Sequence, residues 1–314
     1  MYDQPEHVGM TTAILAIDVL RQRFGSALRE GVALAPYTSA RIGGPADLLL
    51  TVRSSEALHE ALQFVSARQI PFRVLGGGSN VLVSDKGVRE LVILNQAREM
   101  QIVDAAEPRV HADSGVIFSS MANRTAAKGY AGLEWAAAVP GTVGGAVYGN
   151  AGAFGGDVAS CLLRAEVWHA GNRETWSPAR MGYGYRTSVL KRGEATAIVL
   201  AADFSLRKES PEVVKRKVEE VVRGRKATQP PGASMGSMFK NPPGEFAGRL
   251  IEAAGLKGTR VGNAEISLVH GNFFINHGKT LASDIRDLIE LARARVLKQC
   301  GVELELEIEL VGEW

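Results

Sequence analysis

Cysteine is nearly absent: Cys161 and Cys300 are the only two in 314 residues. That excludes a secreted disulfide scaffold and suits a reducing, cytoplasmic setting. The six histidines (His7, His59, His111, His169, His270 and His277) fall into no HExxH or comparable ligand spacing, so no metal site is expected. Charge of one sign is missing as well. Lys and Arg number 36 against 34 Asp and Glu, a formal net charge of +2, which is no footprint for a nucleic-acid partner. The densest basic run, Lys215-Arg216-Lys217, is followed by Glu219 and Glu220 and reads as a solvated helix face. No apolar run approaches the roughly 20 residues of a membrane span, so no membrane partner is expected. The opening MYDQPEHVGMTT lacks the basic start of a signal peptide. No feature implies an obligate protein partner.

Glycine is present in quantity and unevenly placed. In Gly132–Gly156, GLEWAAAVPGTVGGAVYGNAGAFGG, eight of 25 residues are Gly and six are Ala. Gly costs about 1 kcal/mol per helical position relative to Ala, so the stretch is not expected to form an ordinary helix. It contains no Ser, and Leu133, Trp135, Val139, Val143, Val147, Tyr148 and Phe154 are interleaved, unlike a flexible linker. Two readings remain: tight turns between buried strands, or a wall whose missing Cβ atoms let a large ligand approach the backbone. A second cluster, Gly76-Gly77-Gly78-Ser79-Asn80, sits between the apolar runs Phe72–Leu75 and Val81–Val83. Such a turn is either a plain hairpin or a nest of N–H groups for anionic oxygens, a pyrophosphate being the natural occupant. A third segment, Thr38-Ser39-Ala40-Arg41-Ile42-Gly43-Gly44-Pro45-Ala46, sets a glycine pair beside a cation.

The spacing of apolar residues organises the rest. Ile14, Ile17, Leu20, Phe24 and Leu28 predict an amphipathic helix over Thr11–Arg29. From Leu48 the order is strand (Leu48–Val52), helix (Glu56–Gln69, capped by Ser54 or Ser55), strand (Phe72–Leu75), glycine turn, strand. This is a βαβ-type opening without the G-x-G-x-x-G of a Rossmann unit. Strands are expected at Glu90–Leu94, Met100–Val103, Arg109–Ala112, Arg164–Trp168 and Ala197–Leu206, and a helix from about Ile117 to Lys128. Ser210-Pro211-Glu212 starts a helix running to about Gly224, and the domain boundary is placed near residue 207. Phe246–Ala254 and Leu281–Lys298 are two further helices. Gly278-Lys279-Thr280 imitates a Walker A ending, but Phe273 stands where that motif needs Gly. Val302, Leu304, Leu306, Ile308 and Leu310 alternate with Glu303, Glu305, Glu307 and Glu309, which predicts a half-buried strand with its carboxylates on one solvated face.

Five motifs in this order, IGGPA, LGGGSNVL, GLE…PGTVGGA…NAGAFGG, GYRTS and GSMFKNP, resemble the UDP-N-acetylenolpyruvoylglucosamine reductase family from about Thr38 to the C-terminus. The resemblance implies an α+β fold: a two-lobed FAD-binding domain of the PCMH / vanillyl-alcohol-oxidase type over 36–206, then a smaller α+β substrate-binding domain over 207–314. Residues 1–35 would be a helical extension, and the last strand, 302–311, would return to the active site. It implies a bacterial cytoplasmic oxidoreductase in which NADPH reduces non-covalent FAD and the flavin reduces UDP-N-acetylglucosamine enolpyruvate to UDP-N-acetylmuramate.

The resemblance also assigns residues. Arg186, Ser237 and Glu307 are catalytic: Arg186 grips the substrate carboxylate, Ser237 is the proton donor, and Glu307 can donate a hydrogen bond if protonated. Cofactor contacts fall on Arg41, Gly43, Gly44, Gly76, Gly77, Gly78, Ser79, Asn80, Val139, Pro140, Gly141, Thr142, Gly144, Gly145, Asn150, Ala151 and Gly152. Substrate contacts fall on Tyr185, Lys240 and Asn241. Two departures stand out. Val269 precedes His270 where many relatives carry Lys, and only 51 positions separate Arg186 from Ser237, as in the shorter branch that lacks a tyrosine-bearing lid loop. Two competitors stay open here: an oxidase of the same fold acting on an alcohol, and a nucleotide-sugar-binding regulator without activity. Oxygen consumption separates the first, and NADPH oxidation the second.

Overall fold

The protein is described by a computed structural model covering residues 17–314. Residues 17–24 are helical, followed by a 3-10 turn at Gly25–Ala27 and a strand at Leu28–Ala33. The amphipathic helix expected to reach Arg29 therefore stops short, and its beginning lies outside the described residues. Leu28–Ala33 pairs antiparallel with Pro45–Val52, so residues assigned to a helical extension form an edge strand of the first lobe.

That lobe is a four-stranded sheet ordered Leu28–Ala33, Pro45–Val52, Val88–Asn95, Phe72–Leu75, parallel across its last three strands. The crossover helix Ser55–Ser66 begins where Ser54 Oγ accepts the Ala57 amide at 3.1 Å and buries Leu58, Ala61, Leu62 and Val65. This is the apolar stripe visible in the sequence. The second lobe is an antiparallel five-stranded sheet, ordered Asn172–Trp176, Leu162–His169, Ala197–Ser205, Arg109–Asp113, Met100–Val103. Its core takes in the helix Phe118–Ala127 and also Val214 and Val218. These two residues lie on the helix Pro211–Thr228, so that helix packs with the second lobe although it follows the boundary expected near 207.

A third core is built from the helices Ala247–Ala253 and Ala282–Cys300 on the antiparallel strands Arg260–Val261, Ala264–Ile266 and Phe274–Asn276. It also contains Ala40, Ile42 and Leu82 of the first lobe. Polar contacts reinforce the join: Asp85 accepts the Ala282 and Ser283 amides at 2.7 and 2.9 Å, capping a helix from across the interface. The Gly278–Thr280 segment is the turn that leads into this helix.

The C-terminal alternation is only partly a strand. Regular pairing is confined to Glu309–Val311, parallel to Val81–Val83. Upstream, the Glu307 amide donates to Met238 O at 2.9 Å, the Lys240 amide donates to Glu305 O at 2.8 Å, and Leu306 bridges Phe239. The segment thus changes partners at Glu307, from the third core to the first lobe. That exchange breaks the period-2 pattern. Leu304, Ile308 and Val311 are buried, Leu310 is 39% exposed, and the Glu307 side chain is only 16% exposed, away from the solvated face expected for it.

Candidate active site

The strand Phe72–Leu75 ends in the loop Gly76–Asn80, which runs into Val81–Val83. Among the described residues, none of the five loop amides finds an acceptor within the chain. Gly78 is buried, Gly76, Ser79 and Asn80 are half-buried and Gly77 is exposed, and a run of amides without chain partners lining a cavity can serve as an anion cradle. The loop's glycines are needed for contact with other chain segments. A Cβ on Gly77 would lie 2.9 Å from Gly141 Cα, and one on Gly76 would collide with Thr142 Oγ1. Gly78, at φ +58°, leaves no room before Tyr37 O.

The glycine wall contains a helix after all, Val143–Gly149. The intrinsic penalty of its glycines is offset by packing. A Cβ on Gly144 would stand 2.9 Å from Ser114 Cβ, so glycine lets the helix settle on that segment, where the Val143 and Gly144 amides donate to Val116 O and Ser114 O at 2.9 and 2.8 Å. Val143, Ala146 and Val147 are buried.

The carbonyls at the end of this helix, which have no partner within it, are taken by the GYGYRTS segment. Tyr183 Oη donates to Val147 O at 3.0 Å, and Ser188 Oγ donates to Tyr148 O at 2.6 Å. Asn150, left-handed at φ +47°, donates to Gly184 O and accepts the Ala159 amide, both at 2.9 Å. Gly184 and Thr187 close a tight turn that holds Arg186 at φ +56°, a left-handed conformation costing a bulky residue of order 1–3 kcal/mol. Strain of this kind persists where neighbouring contacts impose it, and here it aims a guanidinium.

Two chambers meet behind these loops. One, of about 370 Å³, is lined by Gly76–Val81, Ser114, Gly144, Tyr148, Val199 and Glu309 among others. The other, of about 190 Å³, is lined by Val139–Thr142, Ala151–Ala153, Arg186, Arg225, Gln229, Ser237 and Glu307 among others. Ser79, Asn80, Thr142, Gly145, Gly149 and Lys191 line both. The larger is of the size of small-molecule sites, about 300–1,000 Å³, and the smaller extends it. Among the described residues, no His or Cys lines either one.

In the smaller chamber Arg186 Nε lies 3.1 Å from Glu307 Oε1. Its N–H does not point at that oxygen, and Nε is left buried without a hydrogen-bond partner. Burial pushes the Glu307 carboxyl above its ordinary range, against the opposing pull of Arg186, Lys191 and Lys240. Asn80 Nδ2 and Lys191 Nζ both donate to Glu307 O, at 3.0 and 3.1 Å. Arg225 is held below its ordinary pKa by burial alone, and Gln229 Oε1 is buried without a partner.

The sequence-assigned residues divide. Arg186, Ser237 and Glu307 line one chamber together, and Gly76, Gly77, Gly78, Ser79, Asn80, Thr142, Gly144 and Gly145 line the other. Val139, Pro140, Gly141, Ala151 and Gly152 complete the wall of the first. Arg41, Gly43 and Gly44 line neither, and Arg41 is exposed. A Cβ on Gly44 would strike Asp85 O, so this glycine pair serves chain packing. Asn150 ties two loops together and also lines neither chamber. Tyr185 is 57% exposed. Lys240 pairs with Glu305, and Asn241 caps the helix Ala247–Ala253 by accepting the Ala247 amide at 3.1 Å; none of the three expected substrate contacts lines either chamber. Lys191, Arg225 and Gln229 were not singled out in the sequence. Lys191 stands three residues after the motif's Ser188 but carries no pattern of its own.

Comparison with known proteins agrees with this geometry. Residues 46–174 match the family described as an FAD binding domain, and residues 228–311 match the UDP-N-acetylenolpyruvoylglucosamine reductase C-terminal domain. The UDP-N-acetylenolpyruvoylglucosamine reductase of Rubrobacter xylanophilus is 44% identical over 93% of this chain and 98% of its own. That of Chloroflexus aggregans is 41% identical over 90% and 97%. This chain belongs to the UDP-N-acetylenolpyruvoylglucosamine reductase family. The crystal structure of the reductase from Thermus caldophilus superposes with a TM-score of 0.77 at 40% identity, covering 90% of this chain and 99% of that one. The fold is thus the expected α+β architecture of the reductase family, a two-lobed FAD-binding domain followed by a smaller α+β unit. No helix among the described residues is long and apolar enough to cross a membrane.

Proposed function

We propose that this protein reduces UDP-N-acetylglucosamine enolpyruvate to UDP-N-acetylmuramate with NADPH and bound FAD, in peptidoglycan precursor synthesis. The observation that carries the proposal is the joining of two chambers, one with a run of free amides and the other with Arg186, Ser237 and Glu307. The residues fit FAD: the Gly76–Asn80 amides would hold its pyrophosphate, and Thr142, Gly144 and Gly145 would let its body lie against the backbone. FAD supplies the hydride chemistry when bound, taking its reducing equivalents from NADPH. With no His or Cys among the described residues lining the chambers and the Cys161 thiol buried and pushed up to about 12, the cofactor is held without a covalent bond.

The chain's own groups then act on the substrate. Arg186, with a buried Nε lacking a partner, offers its fork to the enolpyruvyl carboxylate and stabilises the negative charge that develops there. Ser237 delivers a proton to the substrate carbon. Glu307, favoured in its neutral form by burial, donates a hydrogen bond to the same charge instead of repelling it. Arg225 and Gln229, on the wall of that chamber, suit the substrate's diphosphate and its neighbouring hydroxyls. The same account places the protein in the bacterial cytoplasm, where NADPH and nucleotide sugars are made, and the two free thiols agree with it.

Steady-state NADPH oxidation with and without the enolpyruvyl substrate tests the proposal. Oxidation that depends on this substrate is expected. Oxidation indifferent to it, or oxygen uptake driven by an alcohol, would overturn the proposal.

A further inference from the structure

Lys191 sits where the chambers meet, and among the described residues it is the only charged one lining both. Its backbone is fixed: the Lys191 amide donates to Ser188 Oγ at 3.2 Å, and Ser188 is fully buried and bonded to Tyr148 O. Its ammonium donates to one acceptor, Glu307 O, at 3.1 Å. An ammonium has three N–H donors, and among the described residues no carboxylate lies within ion-pair distance of this one. Burial pulls the Lys191 pKa down, while Glu309 and Glu307 pull it up from further away and Lys240 and Arg186 oppose them. Lys191 is half-buried, and a cation partly withdrawn from water without a counter-ion carries a cost. Retaining one at the junction of two ligand chambers makes sense if the missing anion arrives with the ligand.

Hydride transfer to an oxidised flavin adds two electrons and one proton, so it leaves one net negative charge on the ring system. We propose that the Lys191 ammonium is the counter-charge for that reduced flavin, and so sets how readily the bound cofactor is reduced. This rests on FAD being the occupant, as proposed above. The free amides of Gly76–Asn80 already provide for the pyrophosphate, whereas Lys191 is tied to Glu307, whose carboxylate faces Arg186 in the chamber assigned to the reacting carbon. The assignment makes Lys191 a residue that tunes the cofactor's electronics, a role open to any charge held near the ring.

The test is the two-electron midpoint potential of FAD in the holoprotein, measured by anaerobic dye equilibration beside the FAD dissociation constant. Lys191→Gln keeps an N–H donor for Glu307 O and removes the charge, and Lys191→Met removes both in a side chain of similar length. For each, the reduction equilibrium constant is expected to fall about 10–100-fold, roughly 30–60 mV for a two-electron couple. FAD affinity should change only a few-fold, and Lys191→Arg should recover most of the potential. An unchanged potential with lost FAD affinity would make Lys191 a pyrophosphate ligand and overturn the assignment. Unchanged potential and affinity together would reduce it to an anchor for the Glu307 segment and overturn it equally. A wild-type protein that takes up no FAD would overturn the reading beneath the proposal, and the proposal with it.

Discussion

One chamber borders the continuous loop Gly76–Asn80 with its free amides, whereas the other holds Arg186, Ser237 and Glu307, side chains brought from three separate segments. The first would recognise its ligand through N–H groups along one continuous loop, written in consecutive letters, mostly glycine. The second, in the proposed reaction, would work through charge and protons, and its residues are scattered along the chain and meet through the strained turn at Arg186 and the exchange of partners at Glu307. Damage to the two should therefore look different. The backbone chamber should lose its cofactor, and the side-chain chamber should keep the cofactor and lose one step.

The largest effect is expected at Ser237. Reduction of the flavin by NADPH needs no proton at the substrate carbon, so Ser237→Ala should bleach the flavin at a near-normal rate. Its reoxidation by the enolpyruvyl substrate should slow about 10²–10⁴-fold, as when a positioned general acid is lost. Ser237→Cys should recover part of that rate, since a thiol of pKa about 8.5 can donate from nearly the same place. Stopped-flow flavin absorbance reads both steps, and equal slowing of both would make Ser237 a shaping residue.

A pair of glycine substitutions tests the other side. Gly77→Val forces a branched side chain against Gly141, and overpacking of this kind costs about 1–3 kcal/mol. FAD affinity should fall about 10–100-fold while the third core, with its own buried helices, stays folded. Gly44→Val should instead lower the melting temperature by a similar free energy and leave FAD affinity in the folded fraction unchanged. If the two variants behave alike, the distinction between ligand-facing and packing glycines fails.

The smallest effect concerns Glu307 and pH. Its folded-state pKa is raised, chiefly by burial and against the pull of Arg186, Lys191 and Lys240. The ionised form is therefore penalised in the fold, beginning as pH rises through the unfolded pKa and reaching its full extent above the folded one. Glu307→Gln in the cofactor-free protein should be more stable than wild type near neutral pH. The gap should close as pH falls below the ordinary carboxyl range. Melting curves at several pH values check this, and a gap that widens on acidification would contradict the burial of that carboxyl.

Elements whose stability is local were legible in the sequence. The helix Ser55–Ser66 carries its cap and stripe in its own letters, and Met100–Val103 has its expected bounds. Elements that depend on their neighbours were not. Val143–Gly149 has poor helix propensity and forms because Ser114 and Val116 supply its first acceptors and its buried face is covered. The alternation of residues 302–311 carries no mark of where the segment changes partners, and the edge strand Leu28–Ala33 was hidden by the helical spacing that precedes it. In the site, motifs located the free amides and the three side chains proposed as catalytic, which line one chamber. They also named Gly43, Gly44, Asn150 and Asn241, which line neither chamber and make packing, loop-tying and capping contacts. Lys191 gave no signal, because one lysine after an apolar pair is unremarkable until burial removes its counter-ions.

The most direct test of the account uses the FAD-loaded protein without oxygen. After one equivalent of NADPH has bleached the flavin, UDP-N-acetylglucosamine enolpyruvate is added and the absorbance followed. The account predicts that one equivalent of this substrate restores the oxidised spectrum with UDP-N-acetylmuramate as product. A flavin that stays bleached until oxygen is admitted would contradict it.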